Sequence, residues 1–353
     1  MKKAKSKSSK ASLADVAKAA GISTVAASYA MRNKPGISDA TRAKVLRIAQ
    51  EMDYVPDARI DAWMARMRES KNKDLLPLVW FNHHRTDRDA WKRYKFLSPY
   101  LEGARERSHL LGYRLEEVWA CEPGLTPARL SKILYNRGIE GVVVTHFSEK
   151  FQFDWAHFAA VSLEGSLPAP SLPGIFTDHL FNFQLSLKKV REAGYLRIGA
   201  CIANDLDIKT DQSIRAAITH YNSSIPRSER VEPVFYPWGG EKNETEARAS
   251  VIAWLKKSKP DAIIGLNSHL IEWAAEAGYR VPEDLAVVHI ANDDDVSDWA
   301  GVCSNRREIG AAAISMLISR IHNRQFGIPS IASRTLIRGS WCPGFTMIDR
   351  QGA

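Results

Sequence analysis

The chain has 353 residues, of which 45% are hydrophobic and 25% charged, an ordinary composition for a soluble globular protein of two or three compact units. No apolar run approaches the ~20 residues that a bilayer crossing needs, which excludes a membrane-spanning protein. The basic start, MKKAKSKSSK, is not followed by an apolar run and is therefore not a secretory signal.

The net charge of +9 is concentrated at the N-terminus. Residues 1–73 contain 16 Lys and Arg against 7 Asp and Glu, whereas residues 74–353 contain 33 of each sign. A basic head on a neutral body is typical of a protein whose head binds nucleic acid. A solvated tail explains only residues 1–11, because a patterned segment follows them.

The cysteines predict no metal site. Cys121, Cys201, Cys303 and Cys342 are far apart, and no CxxC pair or Cys/His cluster occurs. Scattered single cysteines are typical of a reducing cytoplasm, where they are mostly small buried hydrophobes. We therefore expect a cytoplasmic protein.

Residues 12–52 predict three short helices. Ser12, with Asp15 three residues later, indicates a helix start, and Gly21 indicates the following turn. Ser23 caps a second helix over 24–32, and Ser38 caps a third over 39–52. A short helix, a glycine turn and a second short helix form the helix-turn-helix layout. The residues predicted to form its small core are Leu13, Val16, Ala20, Ile22, Ala27, Val45 and Leu46, and Ala43, Ile48 and Ala49 share the apolar face of the third helix.

The runs LADVAKAAGISTVAASYAMRN and ISDATRAKVLRIAQEMDYVP resemble the DNA-binding headpiece of the lac/gal repressor family, almost continuously over 12–56. In that family three helices precede a hinge helix, which is entered at a Tyr-x-Pro step. Tyr54-Val55-Pro56 stands at that step. The resemblance implies a headpiece at 12–56, a hinge helix and linker at 57–76, and a body at 77–353.

The resemblance also implies which side chains contact DNA. The second helix lies in the major groove, with Thr24, Val25, Ser28 and Tyr29 towards the bases. The positions that match phosphate-backbone contacts, together with the hinge-step tyrosine, are Ser12, Leu13, Ser23, Asn33, Ser38, Thr41 and Tyr54. The family often has Arg where Tyr29 stands, so recognition depends less on guanine here. Tyr29 faces DNA or packs against the headpiece.

The hinge departs from the family pattern. A small residue, an Arg and a leucine wedge usually stand where this chain has Ile60-Asp-Ala-Trp-Met64. Trp63 or Met64 is expected either to enter the minor groove or to pack against a partner hinge or the body. Arg59, Arg66 and Arg68 are candidates to hold phosphates.

Beyond the linker, apolar strands alternate with helical stretches, which predicts parallel sheets covered on both faces. The predicted strands are 77–82, 114–119, 141–145, 159–163, 174–177, 197–202, 231–236, 261–265, 286–290 and 335–339. The predicted helices are 99–111, 126–136, 180–193, 211–221, 244–257, 269–277 and 305–323. The resemblance, carried near the C-terminus by AGYRVPEDLAVVHIANDD, NRREIGAAAISMLISRI and LIRGSW, implies a two-lobed body like the periplasmic sugar-binding proteins. The expected fold is thus an all-α helix-turn-helix headpiece plus a two-lobed α/β body with doubly wound parallel sheets.

In open α/β sheets, ligands bind beyond the carboxyl ends of the strands. The residues that this rule selects are Asn82, His83 and His84, His146, Asn267, Asn292 and Asp293, with Trp238 as a stacking aromatic. The family commonly has an Arg near 211 that grips ligand hydroxyls, whereas Arg215 lies about one turn later. Lys209, Asp211 or Gln212 then takes that role, or the ligand differs. Loop Asn and Asp residues also commonly do no more than cap helices.

No catalytic motif is present, and His83, His84 and His146 have no further ligand at metal spacing, so neither an enzyme nor a metal or other cofactor is expected. The predicted function is a transcriptional regulator that binds a pseudo-palindromic double-stranded operator as a homodimer. A sugar-like effector in the interlobe cleft is expected to modulate it. The alternative is a small-molecule-binding protein without a DNA role.

Overall fold

A computed structural model describes residues 13–31, 36–52, 54, 75–83, 88–89, 97–145, 153–164, 171–292 and 296–351. The chain divides into two compact units, Met1–Asp74 and Leu75–Ala353, which we call the headpiece and the body. Among the described residues, no helix combines the length and apolarity that a bilayer crossing requires.

The headpiece consists of α1 (Leu13–Ala20), α2 (Thr24–Met31) and α3 (Asp39–Glu51). Gly21 forms the turn after α1 with φ at 73°, a conformation that costs glycine little. The buried apolar residues are Val16, Ala17, Ala20, Ala27, Ala30, Val45, Ile48 and Ala49. Because most of them are alanine, the three helices approach one another closely.

The prediction that Leu46 belongs to the headpiece core is wrong. Leu46 is 45% exposed, and Ala43 is exposed as well. Val45, Ile48 and Ala49 face inward instead, at the i, i+3, i+4 spacing of one helical face. Leu46 follows Val45 by one residue and therefore points about 100° away from that face.

The body has twelve strands among its described residues. They are β1 (Leu76–Asn82), β2 (Tyr113–Trp119), β3 (Gly141–Thr145), β4 (Ala159–Leu163), β5 (Gly174–Thr177), β6 (Ile198–Ala203), β7 (Val234–Tyr236), β8 (Ala262–Gly265), β9 (Ala286–His289), β10 (Gly301–Cys303), β11 (Arg334–Ile337) and β12 (Ser340–Cys342). Their helices are α4 (Ser98–Leu110), α5 (Pro127–Asn136), α6 (His179–Glu192), α7 (Asn204–Lys209), α8 (Ser213–Ser224), α9 (Glu241–Ser258), α10 (Leu270–Glu276) and α11 (Arg306–His322).

These elements form two lobes, each built on a six-stranded sheet. The first sheet has the order β11-β5-β4-β3-β1-β2 and is parallel throughout. The second has the order β12-β10-β9-β8-β6-β7. Strands such as β6 and β8 are buried along their whole length, because helices cover both faces of the sheet. The doubly wound, two-lobed prediction is confirmed.

Three short elements were not predicted from the sequence. They are α7, β10 and β12, of six, three and three residues. The β10–β12 pair is antiparallel, whereas only parallel pairing was expected. In addition, α8 begins at Ser213 and not at residue 211, because Asp211 and Gln212 have left-handed φ angles of 52° and 59°.

In the first lobe, α4 and α11 pack with their backbones in close approach. A Cβ at Gly310 would overlap the carbonyl oxygen of Tyr100, and one at Gly103 would overlap that of Arg307. Glycine at both positions is therefore required by packing rather than by backbone conformation, since neither has a positive φ.

Within the described body, the chain passes between the lobes at three segments, 177–179, 303–306 and 337–340, which we call the crossovers. They are hydrogen-bonded to one another. Asp178 N donates to Ile337 O at 2.9 Å, and Asn305 Nδ2 donates to Arg338 O at 2.9 Å. Gly339 N donates to Asn182 Oδ1 at 2.9 Å, and a Cβ at Gly339 would collide with its neighbours. The crossovers thus form one packed hinge.

The cysteines differ in part from the prediction. Cys201 is a buried core residue, as expected, and Cys121 is half-buried. Cys303 and Cys342, however, form a disulfide between β10 and β12. Their 39-residue separation conceals this pairing in the sequence. The antiparallel strand pair brings the two Cα atoms to 6.3 Å, within the usual disulfide range.

Candidate DNA-reading surface and ligand cavity

One face of α2 is exposed and carries the predicted base-facing residues. Ala27 and Ala30 point into the headpiece core. On the opposite side, Val25 is 64% and Tyr29 is 38% exposed. Thr24 is exposed and Ser28 is partly exposed beside them. We call these four residues the α2 face.

The predicted phosphate-contact residues that are described also serve the headpiece itself. Ser23 Oγ accepts a hydrogen bond from Ala26 N at 3.1 Å. Ser38 Oγ accepts one from Thr41 N at 3.3 Å and lies 2.8 Å from Thr41 Oγ1, capping α3. Leu13 and Tyr54 pack against the core. The hydroxyls of Ser23 and Ser38 therefore stabilise the starts of α2 and α3 by pairing N–H groups of the first turn.

Several predicted DNA contacts lie outside the described residues. They are Ser12, Asn33, Arg59, Trp63 and Met64.

The body has a cavity of about 380 Å³ between the two lobes, which we call the interlobe cavity. The first lobe and the first crossover contribute acidic, aromatic and hydroxyl groups, and the second lobe contributes the α7–α8 region. Its lining residues are Glu164, Phe176, Thr177, Asp178, His179, Leu180, Leu206, Lys209, Thr210, Asp211, Ser213, Arg334 and Leu336. The cavity combines apolar surface with many hydrogen-bonding side chains, which suits a small polar molecule.

Glu164 is the most constrained polar group of this cavity. It directly follows β4, and its φ of 48° is left-handed. Its Oε1 accepts hydrogen bonds from Tyr100 Oη at 3.1 Å, from Thr177 N at 2.9 Å and from Thr177 Oγ1 at 2.5 Å. Burial, and then the nearby Glu164 carboxylate, raise the pKa of Tyr100 well above its usual value. Tyr100 therefore remains a hydrogen-bond donor that orients the carboxylate.

His179 stands beside Glu164 at the start of α6. Burial lowers the pKa of His179, and the neighbouring carboxylates of Glu164 and Asp178 only partly oppose this effect. The imidazole is therefore neutral at pH 7 and offers one donor and one acceptor nitrogen.

The second lobe supplies paired charges to the same cavity. Lys209 Nζ lies 3.1 Å from Asp205 Oδ2. Arg334 Nη1, on β11 of the first lobe, lies 2.9 Å from Asp211 Oδ2. The second pair joins the lobes across one side of the cavity. Any change in lobe spacing must therefore break or lengthen it.

Arg215 does not take the role of the family's ligand-gripping arginine in this structure. Its Nε and Nη2 donate to Asp207 Oδ2 at 2.9 and 2.7 Å. Its guanidinium also lies 3.5 Å from the centroid of the Phe235 ring. Asp207 is 4% exposed, so this pair holds α7 against α8.

Of the predicted ligand residues, Asp211 lines the interlobe cavity, and Gln212 follows it at the start of α8. Asn82 instead lines a separate pocket of the first lobe, and its Nδ2 donates to Arg88 O at 2.5 Å. His83 has both ring nitrogens buried, and burial lowers its pKa to about 3.

The remaining predicted residues lie in the second lobe or are not described. Trp238 is half-buried, with its ring 6.1 Å from that of His269. Asn267 Oδ1 accepts a hydrogen bond from His269 N at 2.8 Å, as a turn residue does. Asn292 is fully buried and donates to Trp299 O at 2.9 Å. His146 and Asp293 lie outside the described residues.

Apart from Asp211 and Lys209, the cavity residues were not selected from the sequence, and Glu164, His179 and Arg334 are the charged or titratable groups that matter most among them. Glu164 follows a buried strand, so the rule that selected Asn82 also applies to it. Arg334 stands at the start of an edge strand, where no sequence signal marks it. No group of three or more His, Cys, Asp or Glu residues within the described ranges is arranged to hold a metal ion.

Known proteins share both units of this chain. The family of bacterial regulatory proteins of the lacI type matches residues 12–57, and the periplasmic binding protein-like domain matches residues 187–341. The ribose operon repressor of Haemophilus influenzae is 22% identical, with 94% of this chain and 97% of that protein covered. The repressor CytR of Escherichia coli K12 is 23% identical, with 96% and 98% covered.

Solved structures share the fold. A complex of the transcriptional regulator CelR with cellobiose has a TM-score of 0.57 at 17% identity, covering 95% of this chain and 99% of that one. The lac repressor dimer bound to operator and the anti-inducer ONPF has a TM-score of 0.52 at 15% identity, covering 96% and 99%.

A helix-turn-helix headpiece joined to a periplasmic-binding-protein-like body defines a ligand-responsive class of DNA-binding regulator. The chain combines a helix-turn-helix domain of the lacI type with a periplasmic binding protein-like domain, as the lacI-family regulators do that it resembles over nearly its whole length. These relatives are transcriptional repressors and not enzymes.

Proposed function

We propose that the protein acts in the cytoplasm as a homodimer on a pseudo-palindromic operator, with α2 of each headpiece in a major groove. The observation that carries this proposal is the exposure of the α2 face, because an apolar Val25 that is 64% exposed has no role in the headpiece core. Two-fold symmetric dimers place two recognition helices on half-sites about one helical turn apart.

The α2 face has no arginine, which constrains the operator. Val25 offers a methyl contact to thymine. The hydroxyls of Thr24 and Ser28 can donate a hydrogen bond to an acceptor on a base edge or accept one from a donor. Tyr29 adds an aromatic surface with a hydroxyl at its tip. We therefore expect half-sites that are specified more by thymine methyl groups than by guanine.

Selection of bound duplexes from a random pool tests this proposal. Tyr29→Ala should lower affinity for the selected duplex about 5- to 10-fold and relax the preference at one or two base pairs. Leu46→Ala is the matched control, since Leu46 is a similarly exposed apolar residue on α3. An unchanged base preference in Tyr29→Ala would remove Tyr29 from the reading surface. If no duplex is enriched, the alternative of a small-molecule-binding protein without a DNA role is favoured.

We further propose that the effector is a small hydroxylated, sugar-like molecule in the interlobe cavity. Glu164 supports this proposal, because Tyr100 and Thr177 hold one carboxylate oxygen and the group lines the cavity. A carboxylate fixed in this way accepts hydrogen bonds from neighbouring hydroxyls strongly. Relatives with this fold are named for ribose, and one solved structure contains cellobiose.

The ligand would act through the interlobe hinge that the three crossovers form. Closure or opening of the lobes changes the spacing of the two headpieces, and the coupling is reciprocal, typically ~1–3 kcal/mol. Thermal-shift screening against a panel of pentoses, hexoses and disaccharides tests this idea. The sugar that raises the melting temperature should change duplex affinity by about 5- to 150-fold.

Glu164→Gln sharpens that screen. The amide keeps the shape and one acceptor oxygen but loses the charge, so the sugar-induced shift should be lost or strongly reduced. Glu122→Gln, at an exposed position outside the cavity, should leave the shift unchanged. A full shift in Glu164→Gln would remove this carboxylate from the site.

A further inference from the structure

The disulfide closes the hinge at a specific place. Cys303 is the last residue of β10 and the first residue of the second crossover, and Cys342 ends β12, two residues after the third crossover. All of α11 and β11, which belong to the first lobe, lie between them in the chain. The disulfide therefore fastens together, on the second lobe, the two strands that lead into and out of the first lobe.

The same two crossovers are also joined by the antiparallel β10–β12 pairing, which places Cys303 opposite Ser340, and by the side chain of Asn305. Its Nδ2 donates to Arg338 O at 2.9 Å and to Ser340 Oγ at 3.2 Å. A hydrogen bond of this kind contributes about 1 kcal/mol and opens readily, whereas a covalent link does not open without chemistry. Among the described residues, the disulfide is the covalent contact between these crossovers, added to the hydrogen bonds of the β10–β12 pair.

The surroundings of Cys303 suit a reversible disulfide. Both cysteines are partly exposed. Cys303 lines an open pocket of about 330 Å³ with Pro99, Asn305, Arg306, Arg307 and Glu308. This pocket lies at the start of the 17-residue α11, where Asn305 makes no side-chain cap. The N-terminus of α11 and the Arg306 guanidinium favour a thiolate at Cys303, and Glu308 opposes it. Arg307 adds little, because its guanidinium is paired with Glu102 and Glu106.

We propose that the Cys303–Cys342 pair is a redox switch of the interlobe hinge, operated by a small thiol of the glutathione class. Its effect on transcription rests on the proposed function. The attacking thiolate bonds to Cys342 Sγ, and Cys303 leaves as a thiolate beside Arg306. A second small thiolate attacks the small-molecule sulfur of the mixed disulfide, which releases the oxidised small-molecule disulfide and a Cys342 thiolate. Two electrons pass to the protein, and each cysteine thiolate can take up a proton.

This assignment agrees with the usual distribution of disulfides. In reducing compartments a disulfide is most often transient and redox-sensing. We assign Cys303 as the leaving group because it shares its pocket with the α11 N-terminus and Arg306, and nearby positive charge stabilises a leaving thiolate. In the oxidised state the two strands are locked together, and in the reduced state the second and third crossovers move apart more easily. The effect of lobe closure on DNA affinity is therefore expected to differ between the oxidised and the reduced protein.

The first measurement uses the full-length protein and needs no DNA. After equilibration in oxidised or reduced glutathione and unfolding in denaturant, a thiol reagent should count two and four free thiols, respectively. Amide exchange in the three crossovers should be about tenfold faster in the reduced state. Four thiols under oxidising conditions, or equal exchange in the two states, would overturn the proposal.

Variants separate the switch from general stability. Cys303→Ser and Cys342→Ser should show the reduced exchange rates in both buffers, whereas Cys121→Ser should respond like the wild type. With a duplex selected from the random pool, the wild-type affinity should differ at least about fivefold between buffers, and the two hinge variants should show no difference. If no duplex is selected, the proposed function fails while thiol counts and exchange still decide whether the hinge switch exists.

Discussion

The headpiece and the body expose their functional groups in opposite ways. In the headpiece, small buried residues bring three helices together, and the α2 face is exposed at the surface. In the body, the polar groups near the cavity are held by partners: Glu164 by Tyr100 and Thr177, and Arg215 by Asp207. A recognition surface for DNA is thus a property of one helix, whereas a ligand site is a property of contacts between distant elements.

The largest expected difference between the two units is their response to acid. Burial lowers the pKa of His289 to about 4 and that of His83 to about 3, and the headpiece contains no histidine. Because these folded-state pKa values lie below 6.5, the unfolded chain takes up the protons first. Body stability is full above pH 6.5 and declines as the pH falls from 6.5 to about 4. At pH 5 the loss should be about 2 kcal/mol for each histidine.

Urea unfolding at pH 7.5 and pH 5 checks this expectation, since all but one of the ten tryptophans lie in the body and report on it. His289→Gln should reduce the difference between the two pH values by about 2 kcal/mol. His220→Gln, at an exposed position, is the control and should keep the wild-type difference. An unaltered pH dependence in His289→Gln would contradict the assignment.

The second expected effect concerns close packing in the first lobe. Gly310→Ala should lower the free energy of unfolding of the body by about 3 kcal/mol, because its Cβ would overlap Tyr100 O and force α4 and α11 apart. Gly112→Ala is the control: its φ is 81°, but its Cβ would meet nothing within 4 Å. That variant should cost only about 1 kcal/mol, from backbone strain. Equal losses would show that packing at Gly310 adds nothing.

A third effect tests whether Arg215 is a structural group. Arg215→Ala removes two charge-assisted hydrogen bonds from the buried Asp207. The free energy of unfolding, measured in urea, should therefore fall by about 2 kcal/mol. Lys209→Ala removes an exposed pair with Asp205 and should change stability by less than about 0.5 kcal/mol. If Arg215→Ala kept full stability but lost the sugar-induced thermal shift, Arg215 would belong to the ligand site instead.

The smallest expected effect comes from removing one helix cap in each of the two units. Ser38 caps α3 in the headpiece, and Thr126 caps α5 in the body, accepting from Arg129 N at 3.2 Å. Each change to Ala should cost about 1 kcal/mol. In Ser38→Ala, amide exchange should accelerate about fivefold in α3 and remain unchanged in the body, and Thr126→Ala should show the reverse. Acceleration in both units would indicate that they unfold together.

The headpiece was largely predictable from its sequence because its determinants are local. Caps, the Gly21 turn and 3.6-residue periodicity lie within a few residues of the helices that they define. Leu46 is the exception. It stands next to Val45 in α3, and when two adjacent residues are both apolar, the sequence does not tell which of them faces the core.

The body was predictable as a succession of strands and helices but not as a site. The rule that places ligands at strand ends is sound, yet it selects every polar residue at every such end. Asn292 satisfies the rule and is buried against Trp299, whereas Glu164 satisfies it and faces the cavity. Only the packing of each loop separates the two cases.

The sequence by itself determined the class of protein, the three headpiece helices and the chemistry of the α2 face, because these depend on spacing along one chain segment. Tertiary structure alone decided the cavity and the hinge, because they join residues far apart in the chain. Arg334 meets Asp211 across 123 residues, and Cys303 meets Cys342 across 39. Such contacts leave no periodic pattern, since they arise only when two sheets and their crossovers have folded together.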